Sequence, residues 1–281
     1  MKGVIIAAGY GTRFLPASKT IPKELFPLVN KPAISFIVDE FIAAGIEELL
    51  IITSRRKKAL DDYFDHEIEL EEVFRREGKT RLLKTIEPAP LAVSFIRQQE
   101  MRGTGDAILL AEGFAAGQPV CVAYPDDIVL GAAPLAAQLA ASARDDKDAV
   151  LGVMTVPRSE TNRYGIIAPG DNGMVQSIIE KPAVEKTPSC LATIGRYVLP
   201  PAIFPILREE KKRHAGGEFF LTGAINILAE QGKARYTEFE GKRLDVGDTL
   251  GYIQATIEYA LTMPELAKEL ADWIRTRVEK N

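Results

Sequence analysis

Apolar positions in the first half of the chain follow two alternating rhythms. Residues 3–8 form a short, nearly continuous apolar run, the form of a strand covered on both faces. After Pro32, Ile34, Ile37, Val38, Phe41 and Ile42 recur at helical spacing. Pro32 is suited to open that helix and Gly45 to end it. Residues 49–53, 93–98, 119–124 and 149–156 read as further strands, with helical stretches near 105–115 and 134–144 between them. Strands alternating with helices predict βα units and a mostly parallel sheet, an α/β fold.

The rhythm changes after residue 157. Segments 163–168 and 174–180 flank Pro169-Gly170-Asp171-Asn172-Gly173, a strong turn signal, and predict a β-hairpin. A strand near 191–198 follows, then helices near 201–210, 221–231, 248–261 and 264–278. No internal repeat or long linker divides the chain, so residues 1–281 are expected to form one domain with an inserted hairpin and C-terminal helices. Arg55-Arg56-Lys57-Lys58 and the acidic residues from Asp61 to Glu72 read as solvated helix faces with opposite charges a turn apart.

Composition narrows the chemistry. With 35 Lys and Arg against 39 Asp and Glu, the net charge of −4 argues against a nucleic-acid binder. Cys121 and Cys190 are too few for a disulfide framework, and His66 and His214 too few for a His-based zinc site. The N-terminal apolar run is too short for a signal peptide, and no stretch approaches the ~20 apolar residues of a membrane span. A soluble, reduced, cytoplasmic protein is expected, with no membrane or nucleic-acid partner.

The first strand runs directly into Ala8-Gly9-Tyr10-Gly11-Thr12-Arg13. Glycines here allow a sharp turn and bring backbone N–H groups up to an anion, at the sheet edge where α/β proteins bind ligands. A tight βα turn alone would explain the glycines equally well. Arg13 and Lys23 tip the balance, because a fork and a point charge together suit a polyphosphate. Pro16, Pro22 and Pro27 keep the segment between them from forming one long helix. The dinucleotide fingerprint fails at Phe14, where the third glycine belongs. The P-loop pattern fails at Val73, which stands where its first glycine belongs ahead of Gly78-Lys79-Thr80.

This loop, continued by Pro22-Lys23-Glu24 and by Phe26 to Pro32, resembles the signature of sugar-nucleotide pyrophosphorylases, most closely the bacterial UTP–glucose-1-phosphate uridylyltransferases. The likeness recurs at Arg97-Gln98, at Gly103-Thr104-Gly105-Asp106-Ala107 and at Pro125-Asp126-Asp127. It continues through Tyr164-Gly165, Glu180-Lys181-Pro182, Gly195-Arg196-Tyr197, Leu244-Asp245-Val246-Gly247 and Gly251-Tyr252. It implies a Rossmann-like nucleotidyltransferase fold with a nucleotide-binding half (1–157), a sugar-phosphate half (158–247) and C-terminal helices (248–281). The implied activity joins UTP and glucose 1-phosphate into UDP-glucose and pyrophosphate with Mg²⁺, in a homodimer or homotetramer.

The resemblance also implies residue roles. Ala8, Gly9, Gly11 and Thr12 would meet the nucleotide, and Arg13 and Lys23 its phosphates. Gln98 and the Gly103 backbone would read the uracil edge, with Glu24 a further contact. Gly165, Glu180 and Lys181 would hold the sugar phosphate, while Asp126 and Asp245 would be the carboxylates on Mg²⁺. Arg13, Lys23, Asp126 and Lys181 are the expected catalytic set.

Read without the resemblance, Asp126 after its strand is equally an Asx turn or cap, and Asp127 competes for its role. Asp248 is the better cap for the following helix, which would leave Asp245 free. A sugar phosphate is already anionic at neutral pH, its second pKa being near ~6, so no protein nucleophile or base is required. The chain departs from the family pattern in Phe219-Phe220, where Phe220 replaces a usual amide, at Gly223, where a carboxylate is usual, and at Cys190, usually Asn. Extra core area is one explanation and a reshaped sugar pocket the other. Other acceptor sugars, dTTP in place of UTP, and a non-catalytic sugar-nucleotide sensor remain as alternatives.

Overall fold

The computed structural model describes residues 1–278. Strand β1 (Lys2–Ile6) opens the chain, and a small ribbon of β2 (Pro27–Leu28) and β3 (Lys31–Pro32) leads into helix α1 (Ala33–Ala43). Pro32 sits at the N-cap of α1, and Gly45, at φ +76°, turns the chain out of its far end. Strand β4 (Glu48–Thr53) follows. Helices α2 (Lys58–Phe64), α3 (Ile68–Arg76) and α4 (Thr80–Ile86) then cross the charged stretch to β5 (Ala92–Arg97).

The segment expected as one helix near 105–115 is two, α5 (Thr104–Leu109) and α6 (Glu112–Ala115). The N–H groups of Leu110 and Ala111 bond carbonyls three residues back, a tight turn that interrupts the α-helical ladder. Strand β6 (Val120–Ala123) completes a parallel core in the order β5-β4-β1-β6. Short β7 (Asp127–Leu130), helix α7 (Leu135–Ser142) and β8 (Ala149–Thr155) come next.

The hairpin is present as β9 (Gly165–Pro169) and β10 (Val175–Glu180), one above the other in antiparallel register from Gly165↔Glu180 to Pro169↔Val175. Strand β11 (Leu191–Leu199) is the joint of the sheet. It lies antiparallel to β6, β8 and β9, so the hairpin extends the main sheet. Helices α8 (Ile203–Arg213) and α9 (Leu221–Glu230), strand β12 (Ala234–Glu238) parallel to β8, and β13 (Lys242–Asp245) follow. β13 pairs with β7 in a separate ribbon that places Asp245 opposite Asp127. Helices α10 (Thr249–Leu261) and α11 (Pro264–Val278) end the described chain.

The central strands bury both faces, as their unbroken apolar runs require. Val4 packs with α5, α8 and α9 on one side, while Ile5 packs with α1 and α7 on the other. Each such side chain contributes about 1.5–3 kcal/mol. The sheet is thereby a rigid platform whose β1 and β6 both end at the same edge, just before Ala7 and Tyr124.

Candidate active site

Two adjoining cavities open at that edge. The larger, about 660 Å³, is lined by Arg13, Gly165, Glu180, Lys181, Phe220 and Asp245 among others. The smaller, about 230 Å³, is lined by Ala8, Gly9, Lys23, Glu24, Gln98 and Gly103 among others. Asp126 borders both. Most residues expected to meet nucleotide line the smaller cavity and those expected to meet sugar phosphate the larger, but Arg13, expected on the nucleotide phosphates, lines the larger one. Gly11 and Thr12 line neither.

The loop after β1 is held by local chemistry. Gly11 stands at φ +67°, a left-handed conformation that a side chain resists, and its carbonyl accepts from Ser18 Oγ at 2.7 Å. Phe14 then packs edge-on against Phe26 (5.2 Å between centroids) and Tyr252 (5.9 Å), tying the loop to α10. Arg13 Nη1 reaches the carbonyl of Gly247 at 3.3 Å.

Lys23 Nζ donates to Asp126 Oδ2 at 2.7 Å. Burial alone would lower the lysine pKa, but the carboxylates of Asp126 and Glu24 outweigh it and hold the pKa above its usual 10.5. Burial likewise opposes ionisation of Asp126, yet the charge and hydrogen bond of Lys23 keep its pKa below 3.8. Both groups are therefore charged at neutral pH.

Glu24 is buried, with Oε1 taking a hydrogen bond from Lys57 Nζ at 2.6 Å and Oε2 left without a partner among the described residues. Lys57 also donates to the Ala7 carbonyl at 2.5 Å. This corrects the reading of residues 55–58 as a solvated charge run, because the Lys57 side chain is only 6% exposed. Burial drives its pKa below 10.5. A lysine under the loop after β1 looks in sequence like its three cationic neighbours, and only the fold separates it.

Gly103, at φ +104°, forms a required turn: a Cβ there would stand 2.4 Å from the Phe219 carbonyl oxygen. Gln98 is buried beside it, its Nε2 donating to Gly103 O at 3.3 Å and to Asp106 Oδ2 at 3.2 Å.

The β7–β13 ribbon was invisible in the sequence pattern, and with it the placement of Asp245. Asp245 Oδ1 accepts from Gly247 N at 2.9 Å and Oδ2 from Arg243 at 3.0 Å. The expectation that Asp248 caps α10 holds, its Oδ1 accepting from Gly251 N at 2.9 Å. Asp245 is nevertheless not free of partners. Arg243, which sequence reasoning missed, also bonds Asp127 through Nε at 2.5 Å and lines the larger cavity. Asp127 is fully engaged, accepting as well from Gly195 N at 3.0 Å. Of the adjacent pair, Asp126, whose only side-chain partner is Lys23 among the described residues, is the one that borders both cavities.

On the hairpin side, Gly165 leaves room for Glu180, whose Oε2 would lie 3.4 Å from a Cβ there. Burial raises the Glu180 pKa above 4.5, with the nearby Lys181 acting against that rise and Glu218 adding to it. Lys181 stands at φ +44° with its N–H on the Tyr164 carbonyl at 2.9 Å, and its exposed Nζ lies 4.0 Å from Glu180 Oε1. The departures from the family pattern separate. Phe219 is buried, Phe220 lines the larger cavity, and Cys190 lines neither.

Comparisons with known proteins give the family and the fold. The family model for nucleotidyl transferases matches residues 2–261. A Bacillus subtilis UTP–glucose-1-phosphate uridylyltransferase is 43% identical over 285 residues, spanning 99% of this chain and 97% of its own. The Streptococcus pneumoniae protein of the same name is 42% identical over 97% of this chain and 94% of its own. A UTP-bound UGPase from Acinetobacter baumannii superposes with a TM-score of 0.86 at 34% identity, covering 97% of this chain and 98% of the other. A UDP-glucose pyrophosphorylase complexed with UDP-glucose superposes with a TM-score of 0.80 at 35% identity, covering 93% and 99%. With a matched segment running from β1 through α10 and near-complete alignment to curated relatives, this chain belongs to the nucleotidyl transferase family, among its UTP–glucose-1-phosphate uridylyltransferases.

Proposed function

We propose that this enzyme transfers the uridylyl group of UTP to glucose 1-phosphate, forming UDP-glucose and pyrophosphate. The observation that carries the reading is Asp126, ion-paired to Lys23 where the two cavities meet. A nucleotide with its base against Gln98 and Gly103 brings its phosphates to the Lys23 ammonium and to the backbone of Ala8, Gly9, Gly11 and Thr12. A sugar phosphate entering past Gly165 meets Glu180 at its hydroxyls and Lys181 at its phosphate. An anionic oxygen of the sugar phosphate bonds to the α-phosphorus of UTP as the bond from that phosphorus to the pyrophosphate oxygen breaks. The leaving oxygen keeps the electron pair. Arg13 and Lys23 neutralise the departing charge, and no proton need move.

Enzymes of this family use a divalent metal, and Mg²⁺ is the ion we assign. A Cβ on Gly247 would stand 3.1 Å from Asp245 Oδ1 and 3.2 Å from Asp126 Oδ2, so two carboxylates converge on a space kept open by a glycine. No cluster of three or more His, Cys, Asp or Glu suited to a metal occurs among the described residues. Two carboxylates with phosphates and water completing the shell is the donor set Mg²⁺ accepts. When bound, the ion would neutralise and align the phosphate oxygens. Lys23 would then exchange part of its contact with Asp126 for phosphate.

The halves 1–157 and 158–247 act in this reading as nucleotide and sugar-phosphate sides of one domain. Exposed Leu250, Ile253 and Trp273 on α10 and α11 support a homodimer or homotetramer built through those helices. Among the described residues no helix is long and apolar enough to cross a membrane, and the two unpaired cysteines suit a cytoplasmic setting.

Incubation with UTP, Mg²⁺ and a panel of sugar 1-phosphates, measuring pyrophosphate release, tests the reading. Release is expected with glucose 1-phosphate, and dTTP in parallel sets the strictness for the base. Silence across the panel would overturn it in favour of a non-catalytic sensor.

A further inference from the structure

The side chain that faces the base in the reading above is a primary amide, and an amide has two ends. Whether Gln98 offers an acceptor or a donor decides which pyrimidine it can hold. Uracil presents an N3–H donor beside the O4 acceptor. Cytosine presents the reverse, an N3 acceptor beside the N4 amino donors.

Two acceptors close one end of this amide. Gln98 Nε2 donates to the Gly103 carbonyl at 3.3 Å and to Asp106 Oδ2 at 3.2 Å. Reversing the amide would set Oε1 against that carbonyl and carboxylate, three acceptors with no proton among them. The nitrogen is therefore fixed by chemistry, and Oε1 is left to the cavity that Gln98 lines. Asp106 is held in turn. It lies buried in the first turn of α5, and its other oxygen accepts from Lys211 Nζ on α8 at 2.5 Å. The contact with Lys211 holds Asp106 turned toward Gln98. Lys211 belongs to the second half of the chain and lines neither cavity.

We propose that Asp106, supported by Lys211, is a positioning residue for base selection. It locks the Gln98 amide with its oxygen toward the base, so that the site accepts the N3–H edge of uracil and rejects cytosine. The proposal rests on the uridylyltransferase reading and adds a device to it that touches no substrate.

The test is the ratio of kcat/KM for UTP to kcat/KM for CTP, with glucose 1-phosphate saturating, in wild type and three variants. Asp106→Ala frees the amide to rotate and is expected to reduce the ratio about tenfold or more, the worth of one hydrogen bond set against a donor clash. The loss should fall on the KM for the nucleotide, while kcat with UTP and the KM for glucose 1-phosphate stay within about twofold of wild type. Asp106→Asn, which can still turn an oxygen toward Nε2, is expected to restore most of the ratio. Lys211→Glu, at a half-exposed position away from the core, repels Asp106 and is expected to lower the ratio several-fold, so the proposal stays open to test if Asp106→Ala does not fold. An unchanged ratio in a folded Asp106→Ala or in Lys211→Glu would overturn the proposal. So would an Asp106→Asn as indiscriminate as Asp106→Ala. Wild-type protein that makes UDP-glucose alongside such a result keeps the uridylyltransferase reading, whereas wild-type protein that makes none overturns that reading instead.

Discussion

The two walls of the cleft hold their charges in different ways. On the wall built from β1 and β6, the two lysines beside the loop are paired inside the protein, while Arg13 reaches only the Gly247 carbonyl. Lys23 meets Asp126 at 2.7 Å and Lys57 meets Glu24 at 2.6 Å, and behind that wall Arg196 of β11, fully buried, grips Glu40 of α1 with two bonds of 3.0 Å. On the hairpin wall, Lys181 is 58% exposed and only 4.0 Å from a neighbouring carboxylate. The first wall has its groups set before any ligand arrives. The second leaves its lysine in water until one does. A wall that must stabilise charge on a transferring phosphate gains from fixed dipoles and charges, whereas a wall that admits a sugar gains from room.

The strongest way to break the contrast is at the junction. Lys23→Ala or Asp126→Ala is expected to lower turnover about a thousandfold or more in a protein that still melts cooperatively, since neither side chain is part of the apolar core. Pyrophosphate release and a thermal melt on the same preparation check both halves of that statement. Near-normal turnover in either variant would move the chemistry away from this pair.

The next effect is on stability and should appear on one wall only. Arg196 donates to Glu40 and to the Asp127 carbonyl, and Glu40 accepts also from Ala136 N. Removing either charge strands the other away from water, so Arg196→Met or Glu40→Gln is expected to cost about 3–5 kcal/mol in urea unfolding. Lys181→Ala, an exposed cation in a loose pair, is expected to cost less than about 0.5 kcal/mol. Equal costs on the two walls would erase the distinction.

Acid sharpens it further, because the two carboxylates shift in opposite directions. Asp126 has its pKa lowered below 3.8, so its contribution to stability is present above that value and is lost only as pH falls through the lowered pKa. Glu180 has its pKa raised above 4.5 by burial. The proton it prefers in the folded state favours folding below 4.5, and that contribution is lost as pH rises through the raised pKa. In the proposed reading, ionised Glu180 offers both oxygens as acceptors to sugar hydroxyls, and protonation turns one of them into a donor. The KM for glucose 1-phosphate should therefore rise several-fold as pH drops through a value above 4.5. Glu180→Gln should have a higher KM that no longer follows that step. The substrate's own phosphate, with its pKa near ~6, titrates equally in both proteins and cancels in the comparison. A KM with the same pH profile in both would assign the step to the substrate alone.

Legibility in the sequence divides along the same line. The parallel core, the loop after β1 and helix α1 were readable because each rests on local signals: a buried apolar run, a glycine in a left-handed turn, and a proline before a helical repeat. What the sequence hid depends on distant partners. Lys57 sits in a run of four cations and differs from them only because Glu24 and the Ala7 carbonyl close over it. Arg243 draws its importance from Asp127 and Asp245, brought to it by a four-residue ribbon too short to show a period. The hairpin was readable from its turn, but its pairing with β11, which turns an appendage into part of the sheet, was not.

Phe219 and Phe220 give the smallest expected effect and the finest division between the two walls. In an extended segment, adjacent side chains point to opposite sides, and Phe220, with φ −88° and ψ 152°, is extended. Phe219 is accordingly buried, with its carbonyl accepting from Gly105 N at 2.9 Å, while Phe220 lines the larger cavity beside Thr222. One residue serves the core and its neighbour the substrate space. Phe219→Leu should cost about 1–2 kcal/mol of stability and leave the order of preference among sugar 1-phosphates as it was. Phe220→Gln should leave stability within about 0.5 kcal/mol and shift relative kcat/KM among sugars differing at a single hydroxyl by a few-fold, because an amide returns hydrogen-bonding capacity that an apolar ring lacks. Competition between glucose 1-phosphate and a single-hydroxyl epimer reads that ratio directly. If Phe220→Gln leaves the ratio at its wild-type value, the wall that admits the sugar selects it by space alone.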